Sequence, residues 1–334
     1  MRVLLSFLIG LLGVLIEVQA QVRVDRPVTL MGSRFDFAVI ADNKEKANQV
    51  IDSAVKEMIR IENLISDWKS SSQVSEINRQ AGIKAVKVDQ ELFDLTKRAI
   101  YFSEISGGAF DISYASLDKV WHFDGSMKKL PSETEIKKSV AKINYRNIIL
   151  DSASCSIFLK EKGMKISFGS IGKGYASDRG RYVLESLGAQ GGMVNAAGDL
   201  CTWGNNLKHP AWNIAITNPF DVEDNVCIIP MKNQSVATSG SYEKYVEIDG
   251  KRYSHIINPQ TGYPVQGLAS VSIFGPSVET ANGFSTAIMV LGAERGLKML
   301  EAFPDYSALL ITDEGKVIKS RKFPWKVKTK LKPL

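Results

Sequence analysis

The spacing of apolar and polar residues changes several times along this chain, and each change marks an element. Residues 27–40 alternate in character and predict an opening strand interrupted by Met31-Gly32-Ser33. Over residues 44–68, Val50, Ile51, Ala54, Val55, Met58, Ile61, Leu64 and Ile65 recur at three- and four-residue spacing, which predicts a long helix with one core-facing stripe. A polar loop, residues 69–73, follows. Residues 90–105 predict a second helix carrying Leu92, Leu95, Ala99 and Phe102 inward, closed by Gly107-Gly108. Ser132-Glu-Thr-Glu135 is a capping box that opens a short helix.

Three short apolar runs, residues 147–150, 155–159 and 164–168, predict a strand meander that feeds Gly169-Ser-Ile-Gly-Lys-Gly174. A helix over 175–187 and a strand over 191–196 come next, then mainly strands to Phe274, with 212–217 and 226–230 the clearest. Residues 279–291 and 294–302 predict helices, and 307–312 with 316–319 a closing hairpin. Helices and strands mix without strict βαβ alternation, so the fold class is α+β, with mixed or antiparallel sheets and packed helices.

The N-terminus stands apart. Arg2 precedes an apolar run from Leu4 to Ile16, and Val18-Gln-Ala20 fits a small-residue cleavage site, so residues 1–20 are expected to be a cleavable secretory signal peptide. The domain is expected over 21–320, a length sufficient for a sizeable core. The three cysteines, Cys155, Cys201 and Cys227, have no metal or redox spacing and are expected to be buried thiols. Eight basic residues from Lys316 onward account for more than the whole formal charge of +6. The basic character therefore belongs to a tail, 321–334, expected to be solvated and able to meet anionic lipid through its lysines and Trp325. A body without net positive charge excludes a nucleic-acid partner.

Three stretches could carry chemistry. Asp249-Gly250 signals a type I′ hairpin, whose return strand ends at His255 before a turn made by Asn258-Pro259 and Gly262. A histidine at the end of a rigid hairpin suits acid–base work, or a bond to neighbouring backbone. The glycine run is no P-loop, because two residues rather than four separate Gly169 from Gly172-Lys173. It still leads into a helix N-terminus with Lys173 beside it, which suits phosphate or a tight turn. Asn282 and Thr286, four apart on a predicted helix, share a face and could hold a hard cation or form a structural pair.

Together these segments resemble the FAD:protein FMN transferases, the ApbE family, across nearly the whole exported chain. The matches run in order: Met31-Gly32-Ser33; Ser66-Asp-Trp68 with Ser75-Glu-Ile-Asn78; Ser106-Gly-Gly-Ala-Phe-Asp111; and Gly172-Lys-Gly-Tyr-Ala-x-Asp178. Asn195-Ala-Ala-Gly-Asp199, Thr238-Ser-Gly-x-Tyr242-Glu, His255-Ile-Ile-Asn-Pro-x-Thr-Gly-Tyr-Pro264 and Ala281-Asn-Gly-Phe-Ser-Thr-Ala287 complete the series. The resemblance implies a single catalytic unit related to the T-fold.

It also implies FAD as substrate, Mg²⁺ as cofactor, and transfer of FMN to a Thr or Ser hydroxyl of a partner protein with release of AMP. The acceptor would be an exported flavoprotein or a subunit of a membrane redox complex, and the site would be periplasmic. By position, Met31, Trp68, Ala109, Phe110, Asp111, Lys173, Tyr242 and Ile256 would line the flavin-nucleotide site. The Ser170 carbonyl, Asn282 and Thr286 would hold the metal, and His255, with Lys173, would be catalytic. The family usually has Asp where this chain has Ser167, Asn258 and Asn282. An amide at 282 keeps an oxygen ligand and removes a charge, so Mg²⁺ affinity should be lower. Two rival readings are a FAD pyrophosphatase, with water as acceptor, and a non-catalytic flavin-binding protein.

Overall fold

The computed structural model describes residues 20–332 except Lys208 and Glu243, so the expected signal peptide lies, save Ala20, outside the described residues. The chain opens with β1 (Val22–Leu30) and β2 (Ser33–Ala41), paired across Met31 (φ 50°) and Gly32 (φ 68°). Positive φ at both turn residues is the hairpin geometry that matches strand twist. The single interrupted strand expected over 27–40 is therefore a hairpin that begins at Val22. Asn43 caps α1 (Lys44–Ile65) by accepting from Lys46 N at 2.8 Å. The helix stops before Trp68. A short helix, α2 (Gln73–Arg79), begins at the end of the expected polar loop, capped by Ser72. Seven residues give too little periodicity to reveal it.

Next come β3 (Val86–Lys87), α3 (Gln90–Ile105) and α4 (Glu133–Ser139), the last opened by the expected capping box. The strands β4 (Ile148–Asp151) and β5 (Ser156–Leu159) form a small sheet with β3. The third strand expected here, 164–168, does not form. Its peptide groups are satisfied by side chains instead: Asn78 donates to Ile166 O at 3.0 Å and accepts from Ile166 N at 2.8 Å, while Ser116 does the same for Lys165. Backbone so satisfied needs no neighbouring strand.

The helix α5 (Ile171–Ser186) starts earlier than expected and takes Lys173 into its first turn. Six strands then follow: β6 (Gly191–Ala196), β7 (Asp199–Gly204), β8 (Trp212–Asn218), β9 (Asp221–Met231), β10 (Ser235–Gly240) and β11 (Tyr245–Ile248). The rest comprises β12 (Lys251–Ser254), β13 (Leu268–Gly275), α6 (Val278–Leu291), α7 (Ala293–Leu300), β14 (Ser307–Thr312) and β15 (Val317–Lys319). The main sheet has eight strands in the order β1-β2-β6-β7-β10-β13-β14-β15, and every neighbouring pair is antiparallel. The class is α+β, as the pattern predicts.

Both faces of this sheet are covered. One packs Phe35, Phe37 and Val271 against α1, α5 and α6, with Met58, Ile61 and Phe284 among the buried contributors. The other packs Ile40, Phe274, Leu309 and Ile311 beneath the β8–β9 ribbon and residues 323–331. That segment corrects the solvated tail expected from composition. Phe323 and Leu331 are buried, and the rings of Phe274, Phe323 and Trp325 meet at 5.2–5.5 Å. Phe323, Trp325, Val327 and Leu331 share one side of an extended stretch while the intervening lysines face water. The charge of the lysines conceals a period-two apolar face.

Candidate functional site

The site is built where the N-terminus of α5 meets one face of α6. Two features hold the helices together. A Cβ on Gly174 would lie 2.9 Å from the backbone of Val278 and Glu279, so glycine here permits contact that no other residue allows. One turn on, the Asp178 carboxylate accepts from Ser277 Oγ at 2.8 Å and from the N–H groups of Val278 and Glu279 at 3.0 Å. It thereby satisfies the orphan donors of the first turn of α6. Burial pushes the Asp178 carboxyl above the ordinary carboxylate range, against the pull of these three donors.

This clamp brings the side chains of the three residues expected at the metal together, although at Ser170 the contact is made by the hydroxyl and not by the expected main-chain carbonyl. Ser170 is the N-cap of α5, yet its side chain makes no cap bond. Its hydroxyl instead donates to Asn282 Oδ1 at 2.9 Å and lies 2.8 Å from Thr286 Oγ1. Since the single Ser170 proton goes to Asn282, Thr286 is the donor in the second bond. Asn282 Nδ2 donates in turn to Asp199 Oδ2 at 2.7 Å. Hydroxyl, amide and carboxylate thus form one directed chain, Thr286 to Ser170 to Asn282 to Asp199, along the sheet side of α6. Among the described residues no group of three or more His, Cys, Asp and Glu is placed to hold a metal. The oxygen-only, near-neutral set at 170, 282 and 286 fits a hard cation such as Mg²⁺ that draws its remaining ligands from substrate phosphates.

Lys173 is half-buried on the same helix turn. Among the described residues its ammonium enters no ion pair. A cation at a helix N-terminus is a ready phosphate site. Met31 completes this part, with its methyl beside Gly172 and its N–H donating to Glu62 at 3.3 Å.

His255 follows β12 directly, after a hairpin whose turn has positive φ at Asp249 and Gly250, as the Asp-Gly pair predicts. Its Nδ1 lies 3.0 Å from Lys244 O. A carbonyl only accepts, so Nδ1 carries a proton, which in a neutral imidazole leaves Nε2 as the basic nitrogen. Side-chain bonds tie the surrounding segment to the rest of the fold. Ser239 Oγ meets Ser285 Oγ of α6 at 2.9 Å, and Gln260 Nε2 donates to Gly107 O at 2.6 Å.

The other expected residues sit in varied surroundings. Ala109 and Phe110 are buried, and Phe110 sets its ring edge against Phe102. Asp111 spends its carboxylate on the turn, accepting from Ser113 N, Ser113 Oγ and Tyr145 N at 2.6–3.0 Å. Tyr242 lays its ring against Gly240, and Ile256 packs on the main core. Trp68 is 85% exposed, with the Lys119 ammonium 5.7 Å from its ring centre. Asp178 and Asp199 were visible in the sequence only as the last letters of two motifs; Ser277 and Asn282, which they bond, lie 99 and 83 residues further on.

An antiparallel sheet backed by helices, with Lys173 in the first turn of α5 and three side-chain oxygens joined where α5 meets α6, defines an α+β protein with a polar cluster at a helix N-terminus. The chain belongs to the ApbE family, whose model matches residues 31–310. A Klebsiella pneumoniae relative named FAD:protein FMN transferase is 32% identical over 293 residues, covering 87% of this chain and 90% of the relative. One of the same name from Treponema pallidum is 31% identical, covering 77% and 75%. Among solved structures, the Thermotoga maritima ApbE protein matches with a TM-score of 0.81 at 31% identity, covering 90% of this chain and 98% of that one. The apo Pseudomonas stutzeri flavinyl transferase ApbE gives 0.80 at 27%, covering 91% and 96%.

Proposed function

We propose that this protein is an FAD:protein FMN transferase, the activity its relatives are named for. FAD is the substrate, a Thr or Ser hydroxyl of an acceptor protein is the nucleophile, Mg²⁺ is the cofactor, and AMP leaves. The observation that carries this reading is the oxygen cluster of Ser170, Asn282 and Thr286 one turn from Lys173. Pyrophosphate cleavage demands charge neutralisation on phosphoryl oxygens and an aligned acceptor, so cations matter more here than a covalent nucleophile.

In the transfer, the acceptor oxygen bonds to the phosphorus of the FMN half while the bond from that phosphorus to the bridging oxygen breaks. The bridging oxygen leaves with AMP. Lys173 and the first N–H groups of α5 neutralise the charge that develops on the phosphates. His255 takes the hydroxyl proton at Nε2. Mg²⁺ held by Ser170, Asn282 and Thr286 would supply further charge neutralisation. Met31, Trp68, Tyr242 and Ile256 are assigned to the flavin and nucleotide.

The leader-like residues 1–20 support a reaction outside the cytoplasmic membrane, with an exported flavoprotein or a membrane redox subunit as acceptor. Exposed lysines of 322–332 offer contact with anionic headgroups, while Trp325 is committed to the aromatic cluster.

The test is incubation of the mature protein with FAD, Mg²⁺ and a Thr-containing acceptor domain, following AMP and the acceptor's mass with and without chelator. A chelator-sensitive gain of one FMN is expected. AMP without a mass gain would indicate the pyrophosphatase, and intact bound FAD a binding protein. His255→Ala should keep FAD and lose about 10²–10⁴-fold in transfer rate; an unchanged rate would remove His255 from its role.

A further inference from the structure

We propose that Asp199 is a positioning residue that supplies, through Asn282, the negative charge of the cation site. This rests on the transferase reading of that site. The Asn282 amide could face either way, and its two neighbours decide. A carboxylate only accepts, so Nδ2 must face Asp199 Oδ2, 2.7 Å away. Oδ1 then faces the Ser170 hydroxyl, which donates to it, within reach of Thr286. The reversed amide would set an oxygen against a carboxylate at that distance. Asp199 thus fixes which atom Asn282 offers to a cation. It also polarises the amide, since a donor bonded to an anion makes its conjugated oxygen more negative.

The fold holds Asp199 for this task. It is buried, and it opens β7 directly after a tight turn from β6 with Ala197 at φ 54° and Gly198 at φ 100°. Asn195 Oδ1 accepts from Gly198 N at 2.9 Å and fixes that turn. Asn282 is buried on α6, which the Asp178 clamp fixes against α5. The amide and the carboxylate are therefore brought together by two independent elements. An Asp at 282 would meet Asp199 carboxylate to carboxylate. The charge in this chain stands one residue back from the cation, and the amide passes it forward.

The inference predicts that the charge can change places. Binding of Mn²⁺, as a spectroscopic probe for Mg²⁺, is measured by electron paramagnetic resonance on the FAD-free protein. The comparison set is wild type, Thr286→Ala, Asp199→Asn, and the exchange Asp199→Asn with Asn282→Asp. Asp199→Asn should weaken Mn²⁺ about tenfold or more, and the exchange should restore wild-type affinity or better. Wild-type affinity in Asp199→Asn, or an exchange variant no better than it, would overturn the proposal. Should Asp199→Asn fail to fold, the exchange variant, which keeps the hydrogen bond with reversed polarity, decides alone: folded protein with weakened Mn²⁺ binding overturns the proposal.

A further readout needs no variant. The ¹⁵N resonance of the Asn282 side-chain amide should shift on adding Mg²⁺ to wild type, and a stationary signal counts against the proposal. If Thr286→Ala binds Mn²⁺ like wild type, the cation site itself is misassigned. Loss in Thr286→Ala with retention in Asp199→Asn sinks this inference alone.

Discussion

On one face of the eight-stranded sheet, α1, α5 and α6 enclose a core crossed by a line of polar groups from Thr286 to Asp199. On the other, the β8–β9 ribbon and residues 323–331 enclose apolar side chains and stacked rings. The helical face is tied by charge as well as packing. Arg60 of α1 pairs with Glu57 and with Glu91 of α3, and Arg179 of α5 reaches the same Glu57. On the ribbon side the pairs sit at exposed rims: Lys328 with Asp224, and Asp25 with Arg23, whose guanidinium lies over the Trp212 ring. Buried polar groups cost stability unless each finds a partner, so a fold that carries them gathers them where chemistry needs them. The ribbon face keeps the sheet rigid; the helical face aims it.

That contrast can be broken in four places. Lys173→Ala should lower FMN transfer about 10²–10³-fold while the melting temperature stays near wild type, as for loss of one transition-state donor. A normal rate would remove the helical face's claim to the chemistry. Phe323→Ala should cost about 3 kcal/mol in denaturant unfolding and leave the transfer rate of the folded enzyme unchanged. A lowered rate would mean that the two faces are coupled. Gly174→Ala, which forces α5 and α6 apart, should cost about 1–3 kcal/mol and weaken Mn²⁺ binding as well.

The smallest effect is Arg60→Met. Arg60 holds the carboxyls of Glu57 and Glu91 below their ordinary value of 4.5. Their contribution is therefore complete above that value and lost as pH falls through the folded values. Because these groups are partly solvent-screened, removal should cost about 1 kcal/mol or less at neutral pH and flatten the acid limb of the melting profile. Phe323→Ala should leave that limb's shape unchanged.

Much of this was legible beforehand, and the exceptions share a cause. The α3 bounds and the 249–250 turn follow from local chemistry: apolar spacing closed by glycines, and residues that tolerate positive φ. The oxygen face of Asn282 and Thr286 follows from helical spacing. What the sequence hid is set by distant partners. Asn78 stands in for a strand beside Ile166, Asp178 caps a helix 100 residues on, and Asp199 orients Asn282. The covered tail was hidden differently, because its lysines dominate any composition while Phe323, Trp325, Val327 and Leu331 are spread among them on one side of the strand-like stretch.

That cover also sets an order on assembly. Residues 323–331 follow all eight sheet strands along the chain, and they attach at both of its neighbours: Lys328 N to Val226 O at 3.3 Å and Leu331 N to Gly315 O at 2.8 Å. Until they arrive, Phe274 and its neighbours present sticky surface to any chaperone or protease nearby. A chain interrupted after β15 could pair every strand and still be recognised as unfinished. The segment acts as a seal, so that only a polypeptide translated through it hides its hydrophobic underside.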